Sequence, residues 1–171
     1  VGKDAIDPAK QMGALKTKFE AGNKDPEFLK SFIKIFAFAD PELATTAAAK
    51  YFAGKKSEPL SQEDFSFLFS LTKDSNSPLY GEFISRKDEM LKVMPEENYN
   101  KTLNTFQLNS LFNSSYDKKT KSFDEKKYVA EASKTKSEKE VSTLLLKSKI
   151  RVAALNKDKN EYQRLSMEYY K

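Results

Sequence analysis

Apolar residues in this chain recur every three to four positions in short blocks, and most blocks follow a proline or a small polar residue. Over 8–21, Met12, Leu15 and Phe19 fall on one face of a 3.6-residue period. Over 26–39, Phe28, Leu29, Phe32, Ile33, Ile35, Phe36 and Phe38 cover most of the circumference, which predicts a helix packed on more than one side. Over 41–53 the stripe is Leu43, Ala44, Ala47, Ala48, Tyr51 and Phe52, whose small members permit close helix approach. Asp-Pro stands before all three, at Asp7-Pro8, Asp25-Pro26 and Asp40-Pro41. The aspartate accepts from amides left free in the first turn, and proline fits the first helical position, where its missing N–H costs nothing. Gly22 and Gly54 are placed to close two of these helices in the left-handed conformation. Turns of only a few residues force such neighbours to pack antiparallel.

Beyond a polar link at 55–59, Ser61 and Asp64 form a capping-box pattern ahead of a helix over 62–72. Its Phe65, Phe67, Leu68, Phe69 and Leu71 partly alternate, so a strand is the competing reading. Ser77-Pro78 opens a helix over 78–94 whose apolar pattern lapses at 85–88, where a kink or break is expected. Pro95 opens another over 95–113, with Tyr99, Leu103 and Phe106 inward and Leu111 a further candidate. The lysine-rich 114–121 reads as a loop. Ser122 with Glu125, Ser137 with Glu140 and Asp158 with Glu161 start helices over 123–133, over 138–155, and from 158 to the end. The expectation is an all-α fold of about nine helices in antiparallel pairs. Helix starts recur at Asp7 to Asp40 (33 residues), Asp25 to Ser61 (36) and Asp40 to Ser77 (37). That is close to the roughly 34-residue tetratricopeptide unit. The Trp and the L-G-x-x-Y of that unit are absent, so an irregular repeat is expected, with a compact bundle as the alternative.

Composition narrows the chemistry. There is no cysteine, so no disulfide, thiolate nucleophile or Cys metal site can form within the chain. There is no histidine, which removes the commonest general base and transition-metal ligand. No apolar run reaches the length of a membrane span. At 171 residues the chain is expected to form a single helical domain. The start VGKDAID and the uncapped end SMEYYK suggest a segment of a longer protein. The net charge of +5 is unevenly placed. Residues 116–171 carry 15 basic and 9 acidic side chains, whereas the rest is nearly balanced.

Candidate sites are few. The acidic pairs Glu63-Asp64, Asp88-Glu89, Glu96-Glu97 and Asp124-Glu125 point about 100° apart on a helix and mostly occupy first turns, where carboxylates favour the dipole. No catalytic set, metal site or cofactor loop is expected, and the chain is not expected to be an enzyme in its own right. In the lysine-rich stretch 117–139, Lys118, Lys119, Lys121, Lys126 and Lys127 are candidate anion contacts. Interleaved acids and the lack of arginine argue for a solvated face and against nucleic acid. Tyr162, Tyr169 and Tyr170 are the candidate protein-contact surface.

The phrases DPAKQMGALKTKFEAGNKDPEFLKSF, LSQEDFSFLFSL and SPLYGEFISRKDEM resemble the helical region that follows the thioredoxin domain in some Bacteroidetes-type thiol:disulfide isomerase-like proteins, best over 4–90. The Cys-x-x-Cys of that family lies in the preceding domain, so no catalytic residue carries over to this chain. The resemblance implies an extracytoplasmic, periplasmic parent, with VGKDAID as the tail of a thioredoxin-domain helix or its linker. It also implies an accessory role, contacting that thioredoxin domain or client proteins. A basic module for anionic surfaces or nucleic acid is the alternative function.

Overall fold

Asp7, Asp25 and Asp40 each accept a hydrogen bond from a first-turn amide, of Ala9 (3.0 Å), Phe28 (3.0 Å) and Leu43 (3.2 Å). They start α1 (Pro8–Glu20), α2 (Pro26–Ala39) and α3 (Pro41–Ala53) where the Asp-Pro pattern places them. The structure, a computed structural model, describes residues 7–171. The reading of VGKDAID as a helix tail or linker falls almost wholly on residues 1–6, outside the described residues. The protein is all-α: it is 71% helical, with ten helices among the described residues packed in pairs.

α1 ends as expected. Gly22 has φ +89, its amide donates to Phe19 O, and the Asn23 amide donates to Lys18 O. This doubly bonded reversal needs the left-handed conformation that glycine adopts without strain. Gly54 does not act in this way. Its φ is −78, and α3 ends in a right-handed turn that runs on into 55–57.

The α2–α3 pair is the centre of the first part of the chain. Leu29, Phe32, Ile33 and Phe36 are buried, as are Ala44, Ala47, Ala48 and Phe52 on α3. Phe19 of α1 stacks on Phe32 at 4.6 Å between ring centroids. α2 therefore packs on two sides, and its remaining edge, Ile35 and Phe38, stays exposed.

α4 (Gln62–Leu71) is a helix with both capping-box bonds present, which excludes the strand reading. The expected helix over 78–94 is replaced by α5 (Tyr80–Ser85) and α6 (Lys87–Met90), broken at Arg86 (φ −102, ψ 23) within the lapse at 85–88. This break accounts for ten helices rather than about nine. α7 (Glu96–Ser115) follows.

Two compact units emerge, 1–102 and 103–171. In the second, the expected loop over 114–121 is a β-hairpin, β1 (Tyr116–Asp117) with β2 (Ser122–Phe123) in antiparallel register. Tyr116 and Phe123 both pack on Phe112, at 5.4 and 5.8 Å, and Phe123 reaches Tyr128 at 5.5 Å. Such aromatic contacts to the flanking helices stabilise strands too short to persist alone. Ser122 is thereby drawn into the hairpin, and Asp124 caps α8 (Glu125–Ala132) in place of the expected Ser122–Glu125 box. α9 (Glu138–Leu155) and α10 (Lys159–Tyr169) pack against each other. The turn between them repeats the doubly bonded reversal of α1, here with Lys157 at φ 56. Tyr128, Ala132 and Val141 form the core of this unit, with Leu111, Phe123 and Leu144 packed around them.

Candidate functional site

The densest set of chemical groups lies where the end of α3 meets the start of α4. Asp64 has no solvent-accessible surface. Its Oδ1 accepts from the Tyr51 hydroxyl at 2.6 Å, and its Oδ2 from Lys55 Nζ at 2.6 Å and the Ser61 amide at 2.9 Å. Burial alone would raise the Asp64 pKa. The bonds from Lys55, Tyr51 and Ser61 outweigh it and hold the carboxyl below the usual aspartate range. Burial first, and then the bond to Asp64, push the Tyr51 phenol well above its ordinary value.

A second cluster clasps the adjoining loop. Arg86 is buried at the α5–α6 break and donates to Lys55 O at 2.6 Å, Glu58 O at 2.7 Å and Glu89 Oε1 at 2.7 Å. Glu89 Oε2 accepts from the Leu60 amide at 2.6 Å. That amide, followed by Arg86, lowers the Glu89 pKa.

What can this assembly do? Both Asp64 oxygens are bonded, and the Tyr51 proton is directed at Asp64 rather than at a ligand. The geometry suits holding a loop in place better than transferring a proton. A cleft of about 600 Å³ lies beside it, lined by Lys24, Lys30, Lys50, Tyr51 and Lys55 among others. Most of these cations already have partners. Lys30 pairs with Glu27 at 3.4 Å, Lys50 sits 4.4 Å from the Phe19 ring, and Lys55 is bound to Asp64. Among the described residues no group of three or more acidic residues is arranged to hold a metal, and no helix is long and apolar enough to cross a membrane.

The candidate contact residues lie elsewhere. Lys118, Lys119 and Lys121 occupy the hairpin turn, and Lys126 and Lys127 the first turn of α8; all five are exposed. On α10, Tyr162 and Tyr169 are partly exposed on one face around the buried Leu165, and Tyr170 at the helix end is 83% exposed. Tyr169 meets Tyr170 edge to face at 5.0 Å, with Lys147 over its ring at 5.6 Å. Tyr169 and Tyr170 thus form a small exposed patch, with Tyr162 (46% exposed) and Met167 (67% exposed) elsewhere on the same helix.

Sequence reasoning missed the Asp64 and Arg86 clusters and the exposure of Phe38, which reaches 96%. A signal for the first was present. Tyr51 and Lys55 stand one helical turn apart, just before the Ser61–Asp64 box. No protein-family model matches the chain, and neither a curated protein nor a solved structure matches it.

Proposed function

We propose that the chain is a non-catalytic helical interaction module. In this reading it is a tetratricopeptide-like accessory domain of an extracytoplasmic thioredoxin-like thiol:disulfide oxidoreductase, docking on that protein's thioredoxin-like domain. The observation that carries the interaction role is the outer edge of α2. Phe38 and Ile35 lie one turn apart on a helix whose other sides are packed, and both are left in water. Burying a phenylalanine contributes about 1.5–3 kcal/mol, so a partner covering this edge gains affinity from the apolar area it removes from water. The tyrosine patch of α10 offers a second anchor of the residue type enriched at interfaces. The resemblance over 4–90 supports the choice of partner.

Calorimetric titration of the chain against the thioredoxin-like domain encoded in the same reading frame tests this. Binding that falls at least about tenfold in Phe38→Ser, as expected of an anchor residue, supports the reading. A reading frame without such a domain overturns the choice of partner, and equal binding by the variant overturns the role of α2.

A further inference from the structure

Acids and lysines alternate along 117–127, which in sequence looks like a balanced, solvated face. Folding gives the acids local partners while they stay beside the lysines. Asp117 Oδ1 accepts from the amides of Lys119 (2.8 Å) and Thr120 (3.2 Å), closing the hairpin turn. Asp124 Oδ1 accepts from the Lys127 amide at 3.0 Å, and Asp158 Oδ1 from the Glu161 amide at 3.1 Å, capping α8 and α10. Glu125 is paired with Lys149 at 2.8 Å. The acids are thus tied to backbone amides or to one basic side chain. The lysines are not: Lys118, Lys119, Lys121, Lys126 and Lys127 are exposed, and among the described residues none is in an ion pair.

The hairpin is also fixed in place. Asn156, at the end of α9, accepts from the Tyr116 hydroxyl at 2.8 Å and donates to Lys121 O at 2.9 Å. This brings two further exposed lysines, Lys157 and Lys159, with no ion pair among the described residues, to the same end of the unit. Below the turn, a cleft of about 650 Å³ is lined by Ser114, Ser115, Ser122, Lys118, Lys119 and Lys127, with Asp117 and Asp124 at its wall. The Ser115 hydroxyl is buried with no hydrogen-bond partner.

We propose that this lysine-bearing end of 103–171 is a docking surface for anionic lipid headgroups. Its cations are lysines apart from Arg151, whose guanidinium is already stacked on Phe112 at 4.0 Å and bonded to Asn109 at 3.1 Å and so is not presented to read bases or to grip phosphates in pairs. Its aromatic residues, Tyr116 and Phe123, are stacked on Phe112 and not offered to bases. Compact ammonium groups on a rigid, curved tip instead suit the diffuse negative potential of a lipid surface. The serine-lined cleft admits a phosphate-bearing headgroup between lysines. This surface uses different residues from the α2 edge, so either proposal can fail without the other.

Cosedimentation of the full chain with phosphatidylcholine vesicles, with and without about one-third phosphatidylserine, is the test. Binding is expected only to the anionic vesicles, and it disappears near ~0.5 M salt, where charges are screened beyond about 4 Å. Each lysine at such a surface is worth a factor of about five, and reversal adds repulsion to the lost attraction, so K118E/K119E/K121E lowers partitioning by at least about a hundredfold. The same charge change at the other end of α9 and beyond, K136E/K139E/K171E, lowers it less than about fivefold. Far-UV circular dichroism confirms that both variants fold. Absence of binding to anionic vesicles overturns the proposal. So does equal loss in the two variants, which would signal net charge alone, and so does tighter retention by duplex DNA than by vesicles.

Discussion

The two units treat charge in opposite ways. In 1–102 the charged groups that matter structurally point inward: Asp64 and Arg86 are buried and saturated with hydrogen bonds. In 103–171 several acids serve as caps at the surface, and among the described residues the lysines of the hairpin turn and of the first turn of α8 make no ion pair. The cores differ in the same sense. Of the twelve largest fully buried side chains, ten, including Phe32, Phe52 and Phe83, belong to the first unit, and only Tyr128 and Leu165 to the second. A unit with a deep core can pay to desolvate an ion cluster and use it to fix a loop. A thin one keeps its charges in water, where they are free to meet a partner.

The sharpest way to break this contrast is Asp64→Ala. It leaves Lys55 and the Ser61 amide without their acceptor, and should cost about 3–5 kcal/mol in urea unfolding. Acid should act on the same groups. Asp64 and Glu89 have lowered pKa values in the fold, so their contribution is complete above the unfolded carboxylate values near about 4 and is lost as pH falls through the folded ones. Tyr51 is raised, so its contribution is complete below about 10 and is lost as pH climbs beyond. Residue-resolved amide exchange against pH should show both losses in 1–102 but only the acid-side loss in 103–171, where Asp117 and Glu161 also have lowered pKa values and no tyrosine among the described residues is tied to a carboxylate as Tyr51 is.

Smaller effects sharpen the picture. Tyr99→Phe removes a buried hydroxyl that donates to Phe83 O at 2.7 Å, and should cost about 1 kcal/mol by thermal or urea unfolding. Lys157→Gly relieves a left-handed lysine at φ 56 and should raise the stability of the second unit by about 0.5–1 kcal/mol. Lys118→Ala and Lys119→Ala should leave stability within about 0.5 kcal/mol of the starting protein, which would separate their role from folding.

Legibility followed the range of the interactions. Asp25, Asp40 and Ser61 bond amides three residues away, so the starts of α2, α3 and α4 could be read directly. The hairpin could not, because two-residue strands show no periodicity and theirs depends on Phe112 and Tyr128. Glu63 and Asp64 were read together as first-turn acids that diverge. They do diverge: Glu63 meets Lys34 at 2.7 Å near the surface, while Asp64 turns into the core. Which of two adjacent acids is buried depends on Tyr51, thirteen residues away, so only the Ser61–Asp64 box taken together with the Tyr51–Lys55 spacing points to Asp64. The lysine surface was legible in part. Its hairpin and α8 members stood out as a run, but Lys157 and Lys159 join them only because Asn156 holds the hairpin.

Arg86 has a bearing on how the first unit opens. Its guanidinium spans 28 and 31 residues of chain to hold two carbonyls of the 55–60 loop, and Glu89 on the next turn holds the Leu60 amide. The loop, the start of α4 and the α5–α6 break therefore have no independent route to exposure: releasing one leaves buried ionic groups unpaired in the others. They form a single cooperative opening unit, whose amides should exchange at one common free energy close to that of global unfolding.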